Sequence, residues 1–232
     1  MSTNRLLVTI DATHRSLQQR LTEATHVHAA RSHPRTRYAR TDALLAATCR
    51  HLAAVDDALL DVASRRLPHG HERVKVYLEQ ARLLEHAMAL LKARLYGEVH
   101  AAYLPWPDVW DVVRRDLARH NEAERTLVED LAGALGEAES DVLADKVYRA
   151  EVKAPTRAHP YLPHTGRLGH AARRVWSVAD HFWDTAEGRV VPRPVSVPSK
   201  AHSHDSLVAQ YLVGEPLFDA DAPLIAHRRD RA

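Results

Sequence analysis

Residues 107–135, PDVWDVVRRDLARHNEAERTLVEDLAGAL, are the stretch that decides the fold. One stripe of residues recurs there at alternating steps of three and four: Trp110, Val113, Leu117, His120, Glu124, Leu127 and Leu131. This period is that of an amphipathic helix with one face in a core. His120 and Glu124 occupy two places in the stripe where leucine is expected, and they lie one turn apart on the same face. The stretch predicts a core helix that offers a nitrogen and an oxygen ligand side by side.

Three earlier segments have the same helical period, over residues 4–30, 43–65 and 71–96. Proline-bearing breaks separate the four segments, at residues 32–34, 68–70 and 103–105. Thr41 and Asp42 are the expected N-cap of the second helix, and Gly97 is the expected C-cap of the third. Pro107 suits the first turn of the fourth helix, where the missing N–H costs nothing. The chain is therefore expected to be all-α.

Four histidines, one in each segment, recur at nearly equal intervals along the chain. His14, His51, His86 and His120 follow one another at intervals of 37, 35 and 34 residues, and each midpoint falls on one of the breaks. In antiparallel helices joined by short turns, residues equidistant from a turn lie at about the same height. The spacing predicts an up-down four-helix bundle with one histidine per helix at a common level.

The rest of the chain has a different organisation. A shorter helix is expected over residues 140–152 and a further amphipathic helix over residues 167–187, whereas prolines from residue 188 onward favour an extended segment. We expect three regions: a four-helix bundle over 1–136, a helical extension that packs on it over 137–187, and a proline-rich, largely irregular tail over 188–232.

Composition restricts the classes of function. The formal net charge is only +2 with 27% charged residues, so no basic field points to nucleic acid or to a membrane surface. Cys49 is the only cysteine, which excludes an intramolecular disulfide and a cysteine-rich metal site. The apolar run over residues 6–10 is too short for a signal peptide or a membrane span. A cytoplasmic protein is expected.

The carboxylate predicted inside the core requires a compensating partner, because burying it alone is expensive. Metal ligation is one compensation, and a buried His–Glu hydrogen bond that fixes helix register is the other. His14 lies within the apolar stripe of its helix and His51 on the flank of its own, which favours a metal. His86 lies at the edge of its apolar arc, and Glu79, two turns earlier, can replace or join it.

The candidate metal ligands are therefore His14, His51, His86, His120, Glu124 and Glu79. Imidazole and carboxylate ligands without thiolates suit iron, manganese or zinc. The chain also contains 17 histidines in all, an abundance that makes regular spacings easier to find by chance. No catalytic residue is assigned.

With one histidine on each helix and the motif His120-Asn-Glu-Ala-Glu124, the chain resembles the hemerythrin-like, or HHE cation-binding, family over about residues 5–136. The resemblance implies an up-down four-helix bundle with a non-haem di-iron centre that binds or senses oxygen or nitric oxide, or handles iron. It assigns His14, His51 and His86 to the ligands of the first three helices, and His120 with Glu124 to those of the fourth.

The sequence departs from the family pattern at two places. Val55 stands where the second helix should present a carboxylate four residues after His51. The third helix has Arg82 and Leu90 one turn either side of His86, where a second histidine is expected. One metal ion, a site completed by Glu79, and a fold that has lost its metal all remain open.

Three functions follow from these patterns. The first is a hemerythrin-like bundle with mono- or di-iron that binds a small diatomic ligand or handles metal, without any need for catalysis. The second is a metal-free helical interaction protein that retains the fold, with its tail contacting a protein partner. The third is an enzyme with a mononuclear metal site.

Overall fold

The computed structural model describes residues 4–29, 34–156 and 191–198, and within these ranges the regular structure is helical, with no strand. The helices are Arg5–Ala29 (α1), Pro34–Ala58 (α2), Leu60–Arg66 (α3), Gly70–Tyr96 (α4), Trp106–Ala134 (α5) and Glu137–Lys153 (α6). The all-α expectation is confirmed for this part of the chain. The helix expected over residues 167–187 lies outside the described residues, as does most of the tail.

The second predicted helix begins earlier than expected. It starts at Pro34 rather than near residue 43, and Thr41 and Asp42 are buried inside α2 instead of capping it. Proline is tolerated in a first turn, because the N–H it lacks has no partner inside the helix. The carboxylate of Asp42 accepts a hydrogen bond from the hydroxyl of Tyr96, with an O···O distance of 3.0 Å, and this contact satisfies a polar group within the helix.

The helix path from α2 into α3 is nearly continuous. The N–H of Leu59 donates to the carbonyl of Val55 and the N–H of Ala63 donates to the carbonyl of Leu59, both at 2.8 Å. These are the i to i−4 bonds of a helix, so α2 and α3 together correspond to the second predicted segment.

Two residues in the left-handed region mark the ends of α4. His69, immediately before the helix, has φ 53°, and Gly97, immediately after it, has φ 75°. Glycine adopts this conformation without a Cβ clash, which confirms the predicted C-cap. Pro107 lies in the first turn of α5, as expected.

The core is formed by residues from every one of the longer helices. α1 packs against α2, α5 and α6, α2 also packs against α4 and α6, and α4 packs against α5. Each fully buried leucine contributes about 1.5–3 kcal/mol through removal from water. The largest side chains with almost no exposure are Tyr77, Leu6, Ile10, Leu17, Leu21, Leu44, Leu59, Leu84, Met88, Leu91, Leu117 and Leu131.

Residues 191–198 have no regular secondary structure and contact the helices. A guanidinium nitrogen of Arg50 donates to the carbonyl of Pro192 at 2.9 Å, and one of Arg5 donates to the carbonyl of Val197 at 3.0 Å. The described residues up to Val197 belong to one compact unit, which includes α6. Among the described helices, none combines the length and apolar character that crossing a membrane requires.

Candidate metal centre

Glu124 on α5 is the centre of a buried polar cluster. Its carboxylate oxygens face the Nε2 atoms of three imidazoles: His51 at 3.0 Å, His14 at 3.3 Å and His120 at 2.9 Å. The side chains of Glu124 and His120 are fully buried, that of His51 is 1% exposed and that of His14 is 11% exposed. We call His14, His51, His120 and Glu124 the Glu124 cluster.

The apolar periodicity of the helices explains why these side chains meet. His120 and Glu124 lie in the buried stripe of α5 between Leu117 and Leu127, both of which are almost completely buried. The hydrophobic burial of α5 therefore forces its two polar members inward as well. α1 and α2 pack beside each other, and the rings of His14 and His51 meet edge to face with centroids 5.5 Å apart.

The structure does not bring His86 and Glu79 to the cluster. Both lie on α4, and both are exposed. The buried face of α4 is formed instead by Tyr77, Leu84 and neighbouring apolar residues, and the ring of Tyr77 lies 5.3 Å from that of His120. Equal distance from a turn predicts the height of a residue along a helix but not the direction of its side chain around the axis. In this structure α4 offers packing, not a ligand, to the cluster.

Glu151 on α6 is a member of the site that the sequence patterns did not identify. Its Oε1 atom lies 2.7 Å from Nδ1 of His51, on the side of the ring opposite Glu124, and the residue is 3% exposed. A signal for it exists in the sequence. The buried face of α6 is Ser140, Leu143, Ala144, Val147 and Glu151, a helical stripe in which the glutamate is the anomalous member.

The charges of the cluster stabilise one another. Burial opposes a positive charge on His51, but the carboxylates of Glu124 and Glu151 outweigh it and raise the pKa of His51 to about 10. Burial likewise opposes ionisation of Glu124, but His51, His14 and His120 hold the pKa of its carboxyl well below the ordinary range. Without a metal, the cluster therefore contains a carboxylate and an imidazolium in contact.

Several polar atoms of the cluster make no hydrogen bond within the described residues. They are Nε2 of His14, both ring nitrogens of His120, and Oε1 of Glu124. The approaches of His14 and His120 to Glu124 are close but lack hydrogen-bond alignment. Buried polar groups without partners cost roughly 1–3 kcal/mol each, so native proteins usually satisfy them. A cation bound to Nε2 of His14 and to the carboxylate of Glu124 would satisfy the atoms of these two residues.

The donor set suits one metal ion. One ligand atom from each of His14, His51 and Glu124 lies within 4.8 Å of the other two, and no other trio of histidine, cysteine or carboxylate side chains does so among the residues described. Two imidazoles and one carboxylate are the donors of mononuclear non-haem iron sites, which leave further positions open. The two buried carboxylates, Glu124 and Glu151, would together balance a divalent charge.

Glu151 also lines a small cleft. It is lined by side chains that include Thr13, Arg20 and Arg50, and it is bordered by Pro192. Its volume is about 20 Å³, which is room for roughly one water molecule.

Comparisons with protein-family models, with curated proteins and with solved structures give no match for this chain. The interpretation of the cluster consequently rests on its own geometry and chemistry.

Proposed function

We propose that this chain is a hemerythrin-like metal-binding protein that holds one non-haem iron ion at His14, His51 and Glu124. The observation that carries the proposal is the convergence of three imidazole Nε2 atoms on a fully buried carboxylate, at 2.9–3.3 Å. In an apolar core such a set of donors is costly unless a cation or complete hydrogen bonding compensates for it, and the hydrogen bonding is incomplete.

The packing of the helices supports an up-down bundle as the scaffold. Contacts follow the closed order α1, α2, α4, α5 and back to α1. Tyr96 at the end of α4 meets Asp42 in the first turns of α2, and His28 near the end of α1 meets Trp106 at the start of α5, with ring centroids 4.0 Å apart. Contacts between the end of one helix and the start of its neighbour are those of antiparallel pairs.

The available donors favour one ion over two. A two-metal centre in a bundle uses bridging carboxylates from several helices. Val55, at the position expected for one such carboxylate, is completely buried in the apolar core. α4 offers no donor, because His86 and Glu79 are exposed. His14, His51 and Glu124 remain, with one ligand atom of each within 4.8 Å of the other two, and His120 is not part of this group. Three ligands are sufficient for a mononuclear site with open positions.

The surrounding residues would hold the ligands in place. His120 contacts the carboxylate of Glu124 and packs against the ring of Tyr77, which restricts the rotation of both cluster residues. A bound ferrous ion would supply affinity for a small diatomic ligand such as dioxygen or nitric oxide. The physiological role proposed is therefore sensing of such a ligand or handling of the metal, with no catalytic step required.

A second function is favoured by one observation. His51, held between Glu124 and Glu151, compensates their charge without any metal, since the carboxylates raise its pKa to about 10. The cluster would then fix the register of the helices within the core. A buried polar residue fixes the register of helices in this way in some coiled coils. The protein would act as a metal-free interaction module that contacts a partner through its proline-rich tail.

Metal analysis separates the two functions. The protein is purified without a histidine tag, reconstituted anaerobically with iron, manganese or zinc, and freed of loose metal by gel filtration. The proposal predicts about one equivalent of metal per chain. Less than about a tenth of an equivalent of the three metals together would contradict it and favour the interaction module. A Glu79→Gln protein serves as the matched control, because it alters an exposed glutamate and is expected to retain the metal.

A further inference from the structure

Helix α6 adds a fifth side chain to the cluster from outside the four helices that form the proposed bundle. Glu151 contacts the nitrogen of His51 that faces away from Glu124: Oε1 lies 2.7 Å from Nδ1, while Nε2 of the same ring faces Oε1 of Glu124 at 3.0 Å. Both residues are at least 95% buried by side chain. His51 is thus held on both sides by carboxylates from two different helices.

We infer that Glu151 is a positioning residue for the proposed metal centre, which accepts the Nδ1 proton of His51 and thereby directs the Nε2 lone pair toward the metal. This inference rests on the proposed function, since the positioned nitrogen is one of the three proposed ligands. Glu151 itself is not a ligand.

The chemistry of imidazole gives the reason. A neutral histidine carries one proton on either of two nitrogens, and only the other nitrogen can bind a metal. A carboxylate that accepts the proton at one nitrogen fixes the tautomer, orients the ring and increases the basicity of the opposite nitrogen. Oε1 of Glu151 lies 2.7 Å from Nδ1 of His51, so when the ring gives up one proton to bind a metal, the proton that stays is the one at Nδ1 and the free nitrogen is Nε2.

The position of Glu151 is fixed by the docking of α6. Val147 and Ala144, one and two turns before Glu151, are buried against the other helices. Nζ of Lys146 donates to the carbonyls of Asp57 and Ala58 at the end of α2, at 3.2 and 3.3 Å. These contacts set the register of α6 against the helix that carries His51.

A second anchor ties α6 to α1, the helix of His14. Arg5 forms an ion pair with Asp145 at 2.5 Å and donates to the backbone carbonyl of Asp141 at 3.2 Å. α6 is therefore joined to both helices that supply the histidine ligands. A chain ending at the boundary of the four-helix bundle would lack this support.

The test compares the metal affinity of four proteins: wild type, Glu151→Ala, Glu151→Gln and Glu137→Gln. Glu137 is an exposed glutamate on the same helix and gives the matched control. Binding of Zn²⁺ and Co²⁺ is measured by competition with a chromophoric chelator, and folding is checked by circular dichroism. Glu151→Ala is expected to weaken binding about 10–100-fold, which is the effect of losing such an outer partner. The metal affinity of Glu151→Gln should lie between those of Glu151→Ala and wild type, because the amide oxygen still accepts a hydrogen bond from Nδ1–H of His51 but carries no charge.

A spectroscopic measurement reports the positioning itself. In ¹⁵N NMR of the zinc-loaded wild type, His51 should show a slowly exchanging proton on Nδ1, assigned by its loss in His51→Gln. In Glu151→Ala this proton should exchange rapidly or move to the other nitrogen. Loss of packing alone would not change the tautomer in this way.

The outcomes distinguish the two proposals. If wild type binds metal and Glu151→Ala binds it equally well with the same Nδ1 proton, the inference about Glu151 is overturned and the proposed function stands. If wild type binds no metal, the proposed function fails, and the Nδ1 proton of His51 in the metal-free protein then decides whether Glu151 holds the ring. If Glu151→Ala does not fold, the nearly isosteric Glu151→Gln carries both measurements.

Discussion

Nε2 of His120 lies 2.9 Å from Oε2 of Glu124, one helical turn further along α5, and neither side chain is exposed to solvent. Burial of a helix face that contains this pair costs desolvation free energy unless other groups bind or neutralise the carboxylate. His14 and His51 do so from α1 and α2. The pair therefore determines which helices must surround α5, as well as the chemistry that the interior can support.

Replacement of Glu124 tests the carboxylate ligand. Glu124→Gln keeps the shape of the side chain but removes the charge that three imidazoles face. Metal affinity should fall by more than the roughly 10–100-fold typical of an outer partner. Competition with a chromophoric chelator measures the change. Glu79→Gln, on the exposed face of α4, should bind metal as wild type does, and equal losses in the two variants would remove Glu124 from the site.

Replacement of His51 tests the charge balance of the core. In the metal-free protein, His51→Ala leaves the buried carboxylates of Glu124 and Glu151 without their shared cation. Breaking a buried ion pair typically costs about 3–5 kcal/mol, and a loss of that size is expected in urea unfolding. His86→Ala removes an exposed histidine and should change the unfolding free energy by no more than about 0.5 kcal/mol. Similar values for the two variants would contradict the structure.

Metal binding should release protons. Because its carboxylate neighbours raise the pKa of His51 to about 10, this histidine is protonated in the metal-free protein at pH 7.5. A metal binds only the neutral imidazole, so about one proton should be released for each metal bound. Calorimetric titrations in buffers of different ionisation enthalpy count the protons. Binding without proton release would show that His51 is not a ligand.

The acid stability of the protein should depend on His28. Burial first, and then the positive charges of Arg37 and Arg94, lower the pKa of His28 to about 4. An unfolded histidine titrates near 6.5, so between these two values the unfolded chain binds more protons than the folded one. The stabilisation by neutral His28 is therefore fully present above pH 6.5 and is lost as the pH falls from 6.5 to 4.

Urea unfolding at several pH values measures this dependence. Between pH 6.5 and 4, His28→Gln should lose less stability than wild type, because glutamine does not titrate. His26→Gln changes an exposed histidine two residues earlier and should follow the wild-type curve. Identical slopes for wild type and His28→Gln would show that His28 titrates normally.

Two glycines should respond to alanine in opposite directions. A Cβ at Gly70 would lie 2.5 Å from the backbone carbonyl oxygens of Ala63 and Ser64, which cannot move aside cheaply. Gly70→Ala should therefore destabilise the turn between α3 and α4. A Cβ at Gly133 in α5 meets nothing within 4 Å. Alanine there should raise the free energy of unfolding by up to about 1 kcal/mol, because its helix propensity is higher than that of glycine. Thermal unfolding of the two variants checks the sign of each change.

The helices and most of the cluster follow from hydrophobic periodicity alone. Burial of an apolar stripe fixes which face of a helix points inward, so polar residues within a stripe, such as His14, His120 and Glu124, are carried into the core. The beginning of α2 could not be predicted in this way. Its first turns are polar and lack a stripe, and Asp42 is buried there through a contact with Tyr96, which is 54 residues away along the chain.

His86 and Glu151 show the two limits of the sequence patterns. Even spacing along the chain singled out His86, but it lies about 200° around the axis from the buried Leu84 and is exposed. Glu151 belongs to a helix outside the expected bundle, and only the packing of α6 against α1 and α2 brings it to His51. The apolar pattern of α4 already places His86 at the edge of its arc, whereas the meeting of Glu151 with His51 depends on how α6 packs against the other helices, which the pattern within one helix does not encode.

A crystal structure of the iron-reconstituted protein, with anomalous data at the iron absorption edge, tests the central claim most directly. The predicted result is one anomalous peak per chain, at bonding distance from Nε2 of His14, Nε2 of His51 and the carboxylate of Glu124. A peak at exposed histidines such as His69 or His71, or an anomalous map without any peak at the Glu124 cluster, would contradict it.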